Sequence, residues 1–246
     1  MNDKSYTDFG FERIPFEEKQ PKVNEVFKSV AKRYDLMNDL MSLGLHRAWK
    51  QQAMMLAKIQ KDHTVLDLAG GTADLTALIA QKTDKVILSD INVAMLEVGR
   101  DKLLNKGLID KVRISACDAQ CLPFADKTFD RVLIGFGLRN VPDKAKALKE
   151  MHRVLKPNGM LLVLEFSELQ PEILKPLYDH YSFKVLPWLG QKVTNDAKSY
   201  QYLAESIRKH PNQETLKQMI LESGFDSCEF FNILFGVVAI HRAIKS

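Results

Sequence analysis

From Thr64 onward the chain alternates short apolar runs with amphipathic segments, and this rhythm limits its folds more than any other feature. The runs are TVLDLA (64–69), KVILSD (85–90), VRISAC (112–117), FDRVLIGF (129–136) and GMLLVLEF (159–166). Each is largely apolar rather than alternating, as a strand buried on both faces should be. Helical patterns fall between them at 74–82, 92–105 and 143–155. Repeated β-α-β units with right-handed crossovers make a doubly wound parallel sheet. Lys156-Pro157-Asn158-Gly159 reads as a turn that stops a helix before the last parallel strand. A helix at 212–223 and two apolar runs, CEFFNIL and GVVAIHRAI, predict an antiparallel hairpin at one sheet edge. The expected fold class is therefore α/β, a Rossmann-like seven-stranded sheet.

Ahead of the first run, residues 1–20 are polar and mixed in charge, and read as an irregular arm. Pro21 is expected to open a helix that ends at Tyr34, with Val23, Val26, Phe27, Val30, Tyr34 and Met37 on one face. A second helix is expected from His46 to Ile59, completing an N-terminal helical cap. Residues 167–210 break the strand rhythm and read as a helical lid insertion. The expected organisation is one domain over 1–246. It comprises an arm and cap (1–60), a βαβ core (61–166), the lid (167–210) and a terminal helix with a strand hairpin (211–246).

The 246 residues are 46% apolar and 27% charged, enough for a core without disulfide or metal staples. The net charge of +4 is too small for a strong phosphate footprint, so nucleic acid is not an expected partner. Three cysteines, Cys117, Cys121 and Cys228, form no CxxC pair and lack companions for a closed metal site. They suit a reducing cytosol. No stretch approaches the ~20 apolar residues of a membrane span. The N-terminal stretch lacks the apolar core of a signal peptide. The expected location is cytoplasmic, or peripheral at the inner face of a membrane.

In an open α/β sheet, ligands bind outside the carboxyl ends of the strands at the switch point. That rule selects Asp67 and Ala69-Gly70-Gly71-Thr72 after the first strand, and Asp90 after the second. It selects Asp118 after the third, Gly135 to Asn140 after the fourth and Glu165 at the end of the fifth. Asp90 suits the two hydroxyls of a ribose, and Asp118 suits the exocyclic amine of adenine. VLDLAGGTADL contains neither a P-loop nor GxGxxG, so a phosphate-free adenosine ligand fits better than a dinucleotide. A tight turn with no ligand is the plain alternative.

VLDLAGGTADL followed by SDIN resembles the S-adenosylmethionine (SAM) site of class I methyltransferases. A narrower likeness rests on YDLMNDLMSLGLHRAWK (34–50), DAQCLPFADKTFD (118–130), FGLRNV (136–141), RVLKPNG (153–159) with LLVLEFS (161–167), and YLAESIRKHP (202–211). These stretches are similar to the ubiquinone/menaquinone biosynthesis C-methyltransferase family, from Phe9-Gly10-Phe11 to the closing GVVAIHR. The resemblance implies SAM as cofactor and methylation of a ring carbon on a polyprenylated benzoquinol or naphthoquinol. It implies SAM contacts at Thr72, Asp90 with Ile91, Asp118 with Ala119, and Gly135. Relatives usually carry glycine where this chain has Ala73, and often Ser where it has Gly135. Both departures are expected to weaken SAM binding modestly.

A phenol carbon is a poor nucleophile until the hydroxyl loses its proton, so the site needs a base and a positive group facing the phenolate. Arg139 is the candidate for that charge, with a salt bridge as its structural alternative. His180 is the candidate base. Asn140 either caps the next helix or touches substrate. Tyr34 either closes over the SAM site or packs in the core. His46 is expected to be structural. Tyr178, His180, Tyr181, Trp188 and Tyr200 are expected to form an aromatic cluster, with Tyr178, Tyr181 and Tyr200 lining an apolar substrate entrance. Glu165 either orients substrate or is a buried, paired acid. A nucleic-acid methyltransferase is disfavoured, because GFGLRN replaces the Asp/Asn-Pro-Pro-aromatic run and no Pro-Cys nucleophile is present. A SAM-binding scaffold without turnover is the second rival. A greasy substrate leaves room for peripheral membrane association, a quinone-biosynthesis complex or a homo-oligomer.

Overall fold

The computed structural model describes residues 5–170, 173, 175–194 and 196–246. The chain starts with a hairpin, β1 (Tyr6–Phe9) and β2 (Glu12–Pro15), and runs directly into α1 (Phe16–Val30). A 3-10 turn (Ala31–Arg33), α2 (Tyr34–Ser42) and α3 (His46–Ala57) follow. The core then alternates: β3 (Val65–Leu68), α4 (Asp74–Ile79), β4 (Val86–Asp90), α5 (Val93–Asn105), β5 (Val112–Ala116) and β6 (Phe129–Gly135). Next come a 3-10 turn (Leu138–Asn140), α6 (Lys144–Val154) and β7 (Leu155–Phe166). The remainder is α7 (Lys175–His180), a π-helical turn (Tyr181–Val185), α8 (Leu186–Thr194), α9 (Ala197–Lys209), α10 (Gln213–Glu222), β8 (Ser227–Ile233) and β9 (Val238–Ile244).

The large sheet has seven strands in the order β5-β4-β3-β6-β7-β9-β8. The first five are parallel, and β9 runs antiparallel to both β7 and β8. Its central strands β3, β6 and β7 are largely apolar because both faces are covered. On β6, Leu133 points into one core while Val132 and Ile134 point into the other. On β7, Leu162 and Leu164 oppose Leu161 and Val163 in the same way. Helices α3, α4 and α5 cover the first face, and α6 and α10 the second. Three of these helices begin on a side-chain cap. Asn92 accepts from the Met95 amide (3.2 Å), Asp143 from Lys146 (2.9 Å) and Asn212 from Thr215 (2.9 Å).

Three local expectations change. The N-terminal residues from Tyr6 onward are ordered as a hairpin and helix rather than an irregular arm. The partner that organises them lies far along the chain. Phe9 stacks on Tyr202 at 4.3 Å, and the Phe11 amide donates to Glu205 at 3.1 Å. Pro21 sits inside α1 rather than opening it. It lies on the exposed side, where the one freed carbonyl can meet water. The helix stops at Val30, and after the 3-10 turn Tyr34 begins α2 instead of ending the first helix. Lys156-Pro157-Asn158-Gly159 forms a bulge within β7, since Leu155 pairs with Phe129 and Met160 with Arg131.

Candidate active site

The switch point lies between β3 and β6, where the strand order reverses. At the carboxyl ends of these strands is a cleft lined by Leu68, Ala69 and Gly71 from the first loop, with Asp90, Ile91, Asn92 and Met95 beside them. Cys117, Asp118 and Ala119 close one end, and Phe136, Gly137, Asn140 and Val141 the other. Helix α1 roofs it with Gln20, Val23, Asn24 and Phe27, and Tyr34 joins from α2.

Asp90 is the organising acid. One carboxylate oxygen accepts from the Asn92 amide (2.8 Å) and the other from the Gly71 amide (3.0 Å). Burial still pushes its pKa up to about 6, opposed by those backbone donors. A buried carboxylate with spare lone pairs suits incoming hydroxyl donors, as a ribose supplies. Asp118 accepts from the Gln120 amide at 2.8 Å. Tyr34 lines the cleft, and its ring packs 5.9 Å from Phe27. Burial raises its hydroxyl pKa to about 12, so it is a neutral donor.

The loop itself is held in uncommon backbone states. Ala69 (φ +53°), Gly71 (φ +53°), Ala73 (φ +63°) and Phe136 (φ +58°) all adopt left-handed conformations around the cleft. Gly137 must lack a side chain, because a Cβ there would lie 2.6 Å from the Ala69 methyl.

Several expected contacts fall elsewhere. Asp67 is fully buried beneath the loop, with Thr76 donating to it at 2.5 Å and its Oδ1 unpartnered. Burial pushes its pKa up to about 7. Gly70 lies over it: a Cβ there would meet Leu88 at 2.5 Å and Asp67 at 2.8 Å. These two residues support the loop from below and do not line the cleft. Thr72 turns its hydroxyl to Asp35 (2.9 Å). It belongs to a network in which Lys102 reaches Asp35 and Asp74 (2.6 Å each) and Lys50 reaches Asp74 (2.8 Å). Gly135 also stands off the cleft, and a Cβ there would make only ordinary contact with Leu75 at 3.4 Å.

Arg139 is buried in an ion pair with Glu165 (2.8 Å), and its Nη1 also donates to the Phe136 carbonyl. It lines a second cavity and not the cleft. Glu165 is thus the buried, paired acid. Asn140 lines the cleft and accepts from Tyr202 at 2.9 Å, while Asp143 is the residue that caps α6. His180 is exposed at the end of α7 and does not face the cleft. The aromatic cluster is dispersed. Tyr178 lies under the Arg208 guanidinium (4.4 Å), and the Tyr181 hydroxyl donates to the Leu40 carbonyl (2.7 Å). Tyr200 is buried against Gly190, and Trp188 is 59% exposed. Long side chains on separate helices go where tertiary packing sends them, which spacing alone does not reveal. His46 is structural: it bonds Asp39 at 2.8 Å, and burial lowers its pKa.

The α1 roof escaped sequence reading. Its signal was present: Gln20 and Asn24 share a helix face with Val23 and Phe27, an apolar stripe edged with amides. Gln20 donates to Asn24 at 3.2 Å, and the Asn24 carbonyl accepts from Asn92 at 3.1 Å.

A model of the ubiE/COQ5 methyltransferase family matches residues 16–245. The chain belongs to that family. Among its relatives is a protein of Francisella philomiragia named ubiquinone/menaquinone biosynthesis C-methyltransferase UbiE. It is 57% identical over 242 residues, 97% of each chain. A UbiE of the same name from Cellvibrio japonicus is 54% identical over 248 residues, covering both chains fully. Solved structures share the fold at much lower identity. A putative S-adenosyl-L-methionine-dependent methyltransferase of Methanococcus maripaludis superposes with TM-score 0.64 at 19% identity, covering 89% of this chain and 93% of that one. A SAM-dependent methyltransferase of Aquifex aeolicus gives 0.62 at 15% identity, covering 86% and 98%. Residues 16–245 of this ubiE/COQ5 family member include every strand of the large sheet and the whole cleft.

Proposed function

We propose that the protein is a SAM-dependent C-methyltransferase acting on the ring of a polyprenylated benzoquinol or naphthoquinol in ubiquinone or menaquinone biosynthesis. The observation that carries this reading is near full-length identity above half with UbiE C-methyltransferases. The cleft fits the cofactor: a buried acid at the end of β4, a second acid after β5 and apolar walls between them. When bound, SAM supplies a methyl group on a sulfonium, already a good electrophile. The chain's own task is to hold the ribose at Asp90 and the adenine at Asp118 with Ala119 and Ile91. Phe27 and Tyr34 exclude water above them, and positioning then supplies much of the rate. Arg139 is the positive group behind the acceptor, held in place by Glu165.

The prenyl tail needs an apolar neighbour. Leu43 is 76% exposed in the α2–α3 turn with Leu36 and Leu45 nearby in sequence, and α8, which packs on α2, exposes Trp188. These side chains support peripheral contact at the cytoplasmic face of a membrane. Among the described residues no helix is long and apolar enough to cross one. The direct test is incubation with methyl-labelled SAM and a reduced, short-tailed demethylated quinol. A ring-carbon methyl in the product supports the reading, and labelled oxygen or no product overturns it.

A further inference from the structure

Behind the Leu138–Asn140 turn is a second cavity of about 70 Å³, lined by an unusual excess of cations. Lys19, Arg139, Lys144 and Lys209 all face it, with Asp8 as the one carboxylate in its wall. Asp8 lies 3.6 Å from Lys209, and Glu165 is paired with Arg139. That leaves Lys19 and Lys144. Lys19 is only 4% exposed, and its contact is with Thr7 Oγ1 at 3.5 Å. Lys144 donates to the Val141 carbonyl at 3.3 Å. Among the described residues neither forms an ion pair within 4.0 Å. The Arg139 Nε is also buried without a partner. Burying these groups as ammonium ions without counter-charge is costly, so they either give up a proton or take an anionic guest.

This cavity and the cofactor cleft are lined by neighbouring residues of the same elements. On α1, Lys19 lines the cavity and Gln20 the cleft. On the 3-10 turn, Arg139 lines the cavity and Asn140 the cleft. Tyr202, a cavity residue, donates to Asn140 of the cleft. The volume holds about two waters' worth of matter. That is room for a ring edge bearing one oxygen. Phe9-Gly10-Phe11, FGLRNV and YLAESIRKHP, three separate stretches, meet here through Gly10, Arg139, Tyr202 and Lys209.

We propose that this cavity receives the ionised ring oxygen of the aromatic acceptor, and that Lys19 takes the proton from it. The inference rests on the acceptor being a quinol. In the step, the acceptor's O–H bond breaks and an N–H bond forms on Lys19. The resulting ammonium joins Arg139 and Lys144 around the phenolate. Burial first, and Lys144 second, bring the Lys19 pKa down to about 7, with Asp8 opposing, so a neutral fraction exists at neutral pH. The other groups facing it are Tyr202 and Lys209 from α9. His210, just beyond α9, is held neutral, chiefly by burial. Glu165 is occupied by Arg139.

The test uses the full chain and 4-nitrophenol, whose phenolate is coloured. The bound probe is expected to ionise at a pH at least one unit lower than in buffer, about a tenfold gain in phenolate. Lys19→Met and Lys144→Met should each cut that gain about tenfold without lowering the melting temperature or weakening SAM binding by calorimetry. Lys19→Arg keeps the charge without an available proton acceptor. It should retain the coloured band yet flatten the rise of kcat with pH near neutrality. A probe that stays protonated, or lysine variants that match the parent, would overturn the assignment. So would inorganic phosphate that displaces the probe without competing against quinol. Because the coloured band needs no methyl transfer, an inactive protein with an intact band would sink the proposed reaction alone.

Discussion

At the residue scale, Ala73 is the position where packing corrects a likeness. Its left-handed backbone costs an L-residue about 1–2 kcal/mol, which glycine would avoid. Yet its methyl is fully buried against Gly99, worth about 0.8 kcal/mol, and glycine loses more chain entropy on folding. These terms nearly cancel, and the residue does not line the cleft. Ala73→Gly is therefore expected to shift stability by no more than about 1 kcal/mol in a thermal melt and to leave the SAM isotherm unchanged. Asp90 is different, because it binds the loop and faces the cleft at once. Asp90→Ala removes two amide contacts and the hydroxyl acceptor together. Calorimetry should show SAM binding weakened by about tenfold to a hundredfold. Asp67 and Asp90 also set a pH dependence. Their folded pKa values, about 7 and about 6, lie above the unfolded value of 3.8. The folded state thus holds more protons in between, and this stabilisation is full below pH 3.8 and lost as pH rises towards 7. Asp67→Asn removes its share, so melts from pH 4 to 7 should decline less steeply than the parent's. Asp74 acts in the opposite sense in a separate window. Lys50 and Lys102 hold its pKa down, so its contribution is lost only as pH falls below 3.8.

At the scale of elements, the cofactor loop is stabilised by its neighbours rather than by its own glycines. Helix α5 approaches so closely that a Cβ on Gly99 would lie 2.8 Å from the Gly71 carbonyl. Gly99→Ala should cost about 1–3 kcal/mol and weaken SAM binding as Gly71 is displaced. A melt that matches the parent would show that α5 can move away freely. Lys102 ties α5 to α2 and α4 through Asp35 and Asp74. These groups are partly exposed, and Lys50 still serves Asp74, so screening limits what the network contributes. The elements were legible where a local signal decided them. The period of the apolar runs and of the amphipathic segments between them places α5, α6 and the strands within a few residues. The hairpin β1–β2 was not, because its stabilising partners, Tyr202 and Glu205, are brought to it only by α9.

At the scale of the whole molecule, the N-terminal hairpin and α9 clamp the rear of the site while the sheet edge supplies the front. Removing residues before Phe16 takes away Asp8 and Gly10 from the cation-lined cavity and the Phe9 ring from Tyr202. It leaves every cleft-lining residue in place. The shortened chain should bind SAM as before, by calorimetry, but lose at least about tenfold in kcat/KM for the quinol, or 1.4 kcal/mol. Equal activity would mean that the hairpin is only a cover.

The sequence alone determined the parallel sheet, its order of alternation with helices and the two acids of the cleft. These depend on residue type and spacing within a few turns of chain, where hydrophobic period and strand ends suffice. Tertiary structure decided which way the side chains face. Asp67 and Thr72 look like ligand contacts in the motif, but the fold spends them on Thr76 and Asp35. His180 is exposed, whereas Lys19, unremarked in the sequence, is buried among cations from α6, α9 and the Arg139 turn. Burial and charge at a point in space are sums over residues distant in the chain, and only the folded molecule brings them together.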